Sequence, residues 1–264
     1  MDNMLTTLFN GKKLYVFKHK ESVSIGPKKF GCIEPKITNT IINILELKKN
    51  NIFIDIGANF GYYSILVSDL CQKIISVEPL DICVDLIKKS IIENKIDNIL
   101  IEEVCLSNEE KEVFLNVRDK NIGNSKICDK ETEFKSKTIL LETLVKNHKL
   151  EKIDLIKIDI EGQEPNVINS SLEILKNVSY IIIEVTPNMN ENTNKTKEYF
   201  SYCETLNNLK KVGFKIYDIK SEFFGVYEHN NNLLDEIIKN NEIDIEDYLL
   251  DKKQINVLCV NTLS

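Results

Sequence analysis

Residues 51–63 are Asn-Ile-Phe-Ile-Asp-Ile-Gly-Ala-Asn-Phe-Gly-Tyr-Tyr, and this stretch decides the fold. The apolar run at residues 52–56 predicts a short strand that is buried on both faces, as in a parallel sheet. Gly57 and Gly61 bracket a tight turn, and the apolar residues that follow predict a helix. Strand, glycine turn and helix in this order are typical of the nucleotide-binding start of a doubly wound α/β sheet.

The turn does not match a dinucleotide-binding fingerprint, which needs three glycines, because Asn59 stands at the second glycine position. Asp55 ends the strand, and its charge would repel a pyrophosphate held by backbone N–H groups at the helix start. S-adenosylmethionine (SAM) carries a sulfonium and an ammonium but no phosphate, so a carboxylate beside the turn favours SAM. The alternative is that Asp55 only hydrogen-bonds the backbone of the turn.

Composition and charge narrow the class of protein. The chain has 264 residues, enough for a substantial core, and its net charge of −7 disfavours non-specific binding to nucleic acid. The seven cysteines show no C-x-x-C pattern, so we expect free thiols in a cytoplasmic protein. No signal-peptide pattern is present, and no apolar stretch approaches the roughly 18 residues of a membrane span. The three histidines show no metal-ligand spacing, and we predict no metal.

The sequence divides into a lead-in, residues 1–50, and a main domain, residues 51–264. Within the main domain, residues 221–254 are an insertion with helical segments and many acids. Residues 112–140 interrupt the alternation of helices and strands, and their centre, residues 121–125, is predicted to be an exposed loop. Because loops at this place lie over the carboxyl ends of the strands, we expect a lid or an acceptor-binding segment.

The lead-in is predicted to hold short strands followed by a helix. Alternating apolar residues indicate one strand at residues 14–16 and another at residues 23–25. An apolar stripe over residues 37–45 then predicts an amphipathic helix that leads into the first strand of the main domain.

A second buried strand is predicted at residues 74–77, and Glu78 ends it. Glu78 lies about 20 residues after Gly57, which is where an acidic residue receives the ribose hydroxyls in doubly wound folds. The alternative is a solvent-facing glutamate. A third strand is predicted at residues 99–104. Near its exit, Glu103 and Ser107 are candidates for contacting adenine, and the alternative is that they are ordinary turn residues.

Two further acids follow a strand at residues 153–158. Asp159 and Glu161 emerge at its carboxyl end, on the same edge as Asp55, where one acid could take a proton from an acceptor hydroxyl and the other could hold the ammonium of the ligand. Either acid could instead cap the next helix. Both could ligate a metal, but no third ligand is near in sequence. Glu184 ends the next strand and could bind acceptor hydroxyls, or play a structural part.

Three blocks of this sequence resemble the FkbM family of SAM-dependent methyltransferases. They are residues 55–64 (Asp-Ile-Gly-Ala-Asn-Phe-Gly-Tyr-Tyr-Ser), Glu78-Pro79 and residues 157–164 (Lys-Ile-Asp-Ile-Glu-Gly-Gln-Glu). Residues 30–35 (Phe-Gly-Cys-Ile-Glu-Pro) are similar as well. The resemblance covers residues 30–220, and the insertion at 221–254 departs from the short forms of the family.

The resemblance implies a Rossmann-like, mostly parallel seven-stranded sheet with an antiparallel last strand and helices on both faces. It implies O-methylation, often of sugars, so the expected partner is a small-molecule or glycan acceptor. By the same resemblance, SAM contacts five residues, and Asp159 and Glu161 line the reaction site. The five are Asp55, Gly57, Asn59, Gly61 and Glu78. We assign Tyr62, directly after the turn, and Asp159 to the cofactor site as well.

Two other functions stay open at this stage. A nicotinamide-dependent oxidoreductase would share the sheet and the ribose-binding Glu78, although the missing third glycine and Asp55 count against it. A binding protein could keep the fold and the SAM site without turnover. The sequence does not predict the oligomeric state.

Overall fold

The computed structural model describes residues 2–18, 22–117, 122–188 and 195–263. The strands, in chain order, are β1 (Asn3–Thr7), β2 (Lys13–Phe17), β3 (Asn51–Ile56), β4 (Cys71–Val77), β5 (Ile99–Glu102), β6 (Cys105–Leu106), β7 (Glu112–Asn116), β8 (Lys126–Cys128), β9 (Lys135–Ile139), β10 (Ile153–Ile158), β11 (Val178–Val185), β12 (Phe214–Asp218) and β13 (Ile255–Asn261). The α-helices are α1 (Ser22–Phe30), α2 (Pro35–Glu46), α3 (Tyr62–Leu66), α4 (Asp81–Asn94), α5 (Leu141–Asn147), α6 (Glu164–Ser170), α7 (Leu172–Leu175), α8 (Lys197–Lys211), α9 (Leu233–Asn240) and α10 (Ile245–Leu249).

Within the described residues, seven strands form the central sheet, in the order β12-β13-β11-β10-β3-β4-β5. Parallel pairing joins β11, β10, β3, β4 and β5, and β13 runs antiparallel to both of its neighbours. This Rossmann-like, mostly parallel sheet with an antiparallel last strand confirms the predicted fold class. The carboxyl ends of β3, β4, β10 and β11 meet at one edge, which is where such sheets bind ligands.

Each face of the sheet is buried under helices. The side chain of Phe53 packs into a core with α2, α3, α4 and α9, whereas Ile54 and Ile56 pack with α5, α6, α8 and α10. Because side chains alternate along a strand, Asp55 shares the face of Phe53. The buried apolar run that identifies β3 in the sequence is therefore explained by two covered faces.

The lead-in differs from the prediction at residues 23–25, which lie in helix α1 and not in a strand. Ile25 is 38% exposed while Gly26 and Pro27 are buried, so the apolar alternation does not mark the buried face. Gly26 lets the chain approach closely, because a Cβ there would lie 2.5 Å from the carbonyl oxygen of Cys32. The partner of β2 is β1, which precedes it in the chain.

Three other predicted segments are present. The helix predicted at residues 37–45 is α2. Between β5 and β10, the chain forms a small sheet in the order β6-β9-β7-β8, and the insertion at 221–254 carries α9 and α10. The centre of the interruption is not simply exposed: Ile122 is buried in a short 3₁₀ turn, and Asn121 lies outside the described residues. No described helix has the length and apolar character that crossing a membrane requires.

Candidate functional site

Two cavities lie side by side along the carboxyl edge of the central sheet. We call the first the turn cavity; it lies over the ends of β3 and β4, and Gly57 and Glu78 line it. We call the second the acidic cleft; it lies over the ends of β10 and β11, and Glu184 lines it. Asp159 and Glu161 line both, so the two cavities adjoin at these carboxylates.

Glu78 anchors the turn cavity from the end of β4. Its side chain is buried, and its Oε2 and Oε1 accept the backbone N–H groups of Asn59 and Leu80, each at 2.9 Å. A carboxylate oxygen has two lone pairs, so each oxygen can still accept a hydroxyl from a ligand. Burial raises the pKa of Glu78 to about 7, so its charge changes near neutral pH.

The glycine turn brings the backbone close to the end of β10. Gly57 has a φ of +82°, and a Cβ at this position would lie 1.9 Å from the carbonyl oxygen of Asp159. Asn59 also has a positive φ, +52°, which asparagine tolerates better than most residues. Gly61 lines neither cavity; a Cβ there would lie 2.9 Å from the side chain of Ile87 on α4. Helix packing therefore explains Gly61 better than a ligand contact does.

A segment of the small sheet covers the turn cavity. Residues 122–127 contribute Ile122, Gly123, Ser125 and Ile127 to its wall. The cavity encloses about 80 Å³, whereas small-molecule sites usually enclose roughly 300–1,000 Å³. The enclosed space is therefore smaller than a nucleoside, and residues 122–127 form part of its wall; that they act as a lid stays a prediction.

Asp55 lies beneath the glycine turn and lines neither cavity. Its side chain is 1% exposed, and its Oδ2 accepts the Ser64 hydroxyl at 2.7 Å. Its Oδ1 has no hydrogen-bond partner among the described residues. Burial raises the pKa of Asp55, and the charge of Lys157 opposes that rise. This position does not support the predicted direct contact with SAM; Asp55 belongs to the floor under the site.

Lys157 is the cation of that floor. It is 3% exposed, its Nζ donates to Asp159 Oδ2 at 2.9 Å, and it lies 4.9 Å from the centre of the Tyr63 ring. Burial lowers the pKa of Lys157, but the charges of Asp159, Asp55 and Glu34 outweigh this and hold it above its ordinary value. The ammonium therefore stays charged and fixes one oxygen of Asp159.

Asp159, Glu161 and Glu184 form an acidic triad: each offers a carboxylate oxygen, and these lie within 4.8 Å of one another. Burial, reinforced by the charge of Asp159, raises the pKa of Glu161 to about 7, and the Lys126 ammonium 3.6 Å away acts against the rise. Burial and the neighbouring acids also raise the pKa of Glu184, which accepts a hydrogen bond from Gln254.

The third acid of the triad is a possible metal ligand that is distant in sequence from the other two. Glu184 supplies the third oxygen that is not apparent next to Asp159 and Glu161 in the chain, and such a set suits a hard divalent cation. However, Lys157 and Lys126 already pair with two of the three acids. Two of the three carboxyl groups of the triad therefore already have a lysine partner, and Glu184 has Gln254 as its hydrogen-bond donor.

The remaining predicted site residues lie in different places. Tyr62 lines the acidic cleft and not the turn cavity. Ser107 is buried and reaches the turn cavity only through Gln163, to which its hydroxyl donates at 3.4 Å. Glu103 is exposed, lines neither cavity and pairs with Lys88 at 2.6 Å, so its position does not support a contact with adenine.

Several residues of the acidic cleft are not apparent as site residues from the sequence. Glu34 has a φ of +42° and accepts the Tyr63 hydroxyl at 2.8 Å. Its only sequence signal is its place in the lead-in block that resembles the family. Phe223 and Phe224 form an edge-to-face pair, 4.6 Å between ring centres, that lines the cleft. They belong to the insertion, where no motif identifies them.

A family model, the methyltransferase FkbM domain, matches residues 55–216. No curated protein matches the chain. Solved structures of similar fold include precorrin-6Y C5,15-methyltransferase from Geobacter metallireducens, 12% identical over 86% of this chain and 88% of that one, TM-score 0.44. A Streptococcus mutans protein in complex with S-adenosylhomocysteine (SAH) is 11% identical over 87% and 99%, TM-score 0.48. A Methanococcus jannaschii fibrillarin pre-rRNA processing protein is 15% identical over 99% and 98%, TM-score 0.45. Because the matched segment spans more than half of the chain and includes the glycine turn and both acids after β10, the chain belongs to the FkbM family of methyltransferases.

Proposed function

We propose that the protein transfers a methyl group from SAM to a hydroxyl group of a sugar or glycan-type acceptor. The observation that carries the proposal is that Asp159 and Glu161 line both the turn cavity and the acidic cleft. A donor in the first space and an acceptor in the second would meet at these two carboxylates. Holding both in line supplies much of the rate enhancement that such a transfer needs.

The residues of the turn cavity fit SAM, which supplies a methyl group on a positively charged sulfur when bound. Glu78 keeps free lone pairs for the two ribose hydroxyls. Gly57 gives close access to the backbone, and Val104 adds an apolar surface that suits the adenine ring. Asp159, which Lys157 holds in place, suits the cationic end of the ligand.

Glu161 is better suited than Asp159 to take the proton of the acceptor hydroxyl. Its pKa of about 7, raised by burial, is close to the operating pH that favours a general base. Its φ of +57° is unusual for a residue with a side chain, and strained positions of this kind concentrate at functional sites. Asp159 forms an ion pair with Lys157, which makes it a weaker base, so we assign it to holding the ligand in position.

The acidic cleft suits a sugar. It encloses about 490 Å³, within the roughly 300–1,000 Å³ of small-molecule sites. A sugar presents hydroxyl groups and an apolar ring face. Glu184 and Gln254 provide polar partners for the hydroxyls, and the Phe223–Phe224 pair provides an apolar wall.

The cysteines support the compartment that we propose for this reaction. All seven are free, and Cys32, Cys83, Cys105, Cys203 and Cys259 are buried. Free buried thiols persist in a reducing environment, so we propose a cytoplasmic protein.

The test is methyl transfer from labelled SAM to a panel of mono- and oligosaccharides, combined with calorimetry of SAH binding. We expect E161Q to lower transfer by about 100- to 10,000-fold, the usual contribution of a general base, with SAH affinity unchanged. E173Q is the matched control: Glu173 is exposed, pairs with Lys176, and should change neither quantity.

Three outcomes would contradict the proposal. Full activity of E161Q would remove the assigned base. A wild-type protein that binds SAH but labels no acceptor would be a binding protein. Binding of NADH in place of SAH would favour an oxidoreductase.

A further inference from the structure

The acidic cleft does not end at the triad. Glu34, Phe223 and Gln254 form a partition, because they line both the cleft and a further compartment of about 380 Å³. This compartment, which we call the distal compartment, lies over the carboxyl end of β12 and the start of β13. This edge of the sheet therefore holds three neighbouring spaces in a row: turn cavity, acidic cleft and distal compartment.

The distal compartment has two lysines whose charge is available to a ligand. Lys220 and Lys252 line it, and within the described residues neither ammonium lies within 4.0 Å of a carboxylate. The Lys252 ammonium lies 4.5 Å from the centre of the Tyr248 ring. Two lysine ammonium groups thus line one end of the binding edge.

The acids that face these lysines are already engaged. Asp218 is 4% exposed; one of its oxygens accepts the backbone N–H of Lys220 at 2.8 Å, and the other accepts the Tyr248 hydroxyl. Glu34 accepts the Tyr63 hydroxyl at 2.8 Å on the other side of the partition. Both acids that line the compartment are thus held by neutral donors, and a ligand there meets two lysine ammonium groups that are not paired with a described carboxylate, in a chain whose net charge is −7.

We propose that the distal compartment binds an anionic group, a uronate carboxylate or a phosphate, on the unit next to the sugar that is methylated. This inference rests on the proposed function, and it adds that the acceptor is an acidic oligosaccharide and not a neutral monosaccharide. Lysine ammonium groups bind carboxylate and phosphate through charge-assisted hydrogen bonds. The overall negative charge of the chain would repel such an acceptor, and the local lysine charges would offset that repulsion at the distal compartment.

The test is binding of the SAH-saturated protein to an array of neutral, uronate-containing and phosphate-containing oligosaccharides. The matched probes are trigalacturonate and its neutral methyl ester, which share one backbone. We expect acidic glycans to bind and the K220E/K252E variant to lose about tenfold or more of that affinity. The K49E/K89E variant is the control, since it changes the net charge equally at two exposed lysines outside the compartment.

The arms of the array separate a uronate from a phosphate. Binding of neutral glycans alone, of no glycan, or equal losses in the two double variants would overturn the inference. Failure of the proposed function looks different, because no labelled methyl would then reach any acceptor. If labelled methyl reaches neutral sugars and K220E/K252E transfers it at the wild-type rate, the proposed function stands and this inference fails.

Discussion

Replacing Lys157 with methionine tests the floor of the site. Lys157 is 3% exposed and faces Asp159, Asp55 and Glu34, so its removal leaves three carboxyl groups without their shared cation. Methionine keeps most of the side-chain volume, so loss of charge dominates over creation of a cavity. We expect K157M to fold, to be much less stable, and to lose the fixed orientation of Asp159.

The size of the effect follows from burial. Removing one partner of a buried ion pair costs about 3–5 kcal/mol. The side chain of Asp159 is 30% exposed, so water compensates part of its charge. Loss of the contact between the ammonium and the Tyr63 ring increases the destabilisation by about 0.5–1 kcal/mol. We therefore expect the free energy of unfolding to fall by about 3–4 kcal/mol at pH 8.

The loss should shrink as the pH falls. Burial raises the pKa of Asp55 and of Glu34, and the charge of Lys157 works against both shifts. Without the lysine, both pKa values rise further. An acid whose pKa is raised in the folded state contributes stability at low pH and loses it as the pH rises through that pKa. The K157M protein should thus regain part of its stability between pH 8 and pH 5.

Urea unfolding followed by circular dichroism at both pH values measures these changes. The double variant K157M/D55N should recover part of the loss, since asparagine removes one uncompensated charge and its carbonyl can still accept the Ser64 hydroxyl. K176M removes an exposed lysine that pairs with Glu173 and should cost less than about 1 kcal/mol. A K157M loss below about 1 kcal/mol, or equal losses at pH 8 and pH 5, would refute the reasoning.

Two further predictions concern the turn cavity. G57A should destabilise the fold by at least about 2 kcal/mol more than G11A, and it should abolish SAH binding. Both glycines have a positive φ, but a Cβ at Gly57 would overlap Asp159, whereas a Cβ at Gly11 would have nothing within 4 Å. Equal losses in urea unfolding would contradict this. SAH affinity should fall below pH 7 by up to about tenfold per pH unit, because burial raises the pKa of Glu78 to about 7 and only the carboxylate accepts both ribose hydroxyls. Calorimetry from pH 5.5 to 8.5 checks this, and E78Q should bind weakly with no such step.

Local sequence predicts the part of the site that one strand and its turn create. The apolar run at residues 52–56, the glycine after it and Glu78 at the next strand end are all recognised from neighbours within a few residues. Burial on both faces forces an apolar strand, and a polar residue at its carboxyl end marks the ligand edge. The positions of Glu78, Asp159 and Glu161 at that edge follow from these rules.

The other features of the site depend on the register between strands and on segments that are distant in sequence. Strand alternation places Asp55 on the face of Phe53, away from the turn cavity, and the opposite residue on β10 is Lys157. The sequence does not give the register that brings these two together, so Asp55 is predicted as a ligand contact although it belongs to the floor. Glu34 and Phe223 come from opposite ends of the chain, and no local periodicity relates them.

Placing a cation under one of two neighbouring acids separates their chemistry. Asp159 and Glu161 leave the same strand end two residues apart, and symmetrical surroundings would give two equivalent carboxyl groups. Lys157 binds Asp159 from below at 2.9 Å, while Glu161 has the looser contact with Lys126 at 3.6 Å. A carboxylate held by a fixed ammonium orients a ligand, and a carboxyl group with a pKa of about 7 exchanges protons at neutral pH. The buried lysine, which costs free energy to desolvate, thus gives a physical reason why two acids at one strand end could take the two roles that we propose for them.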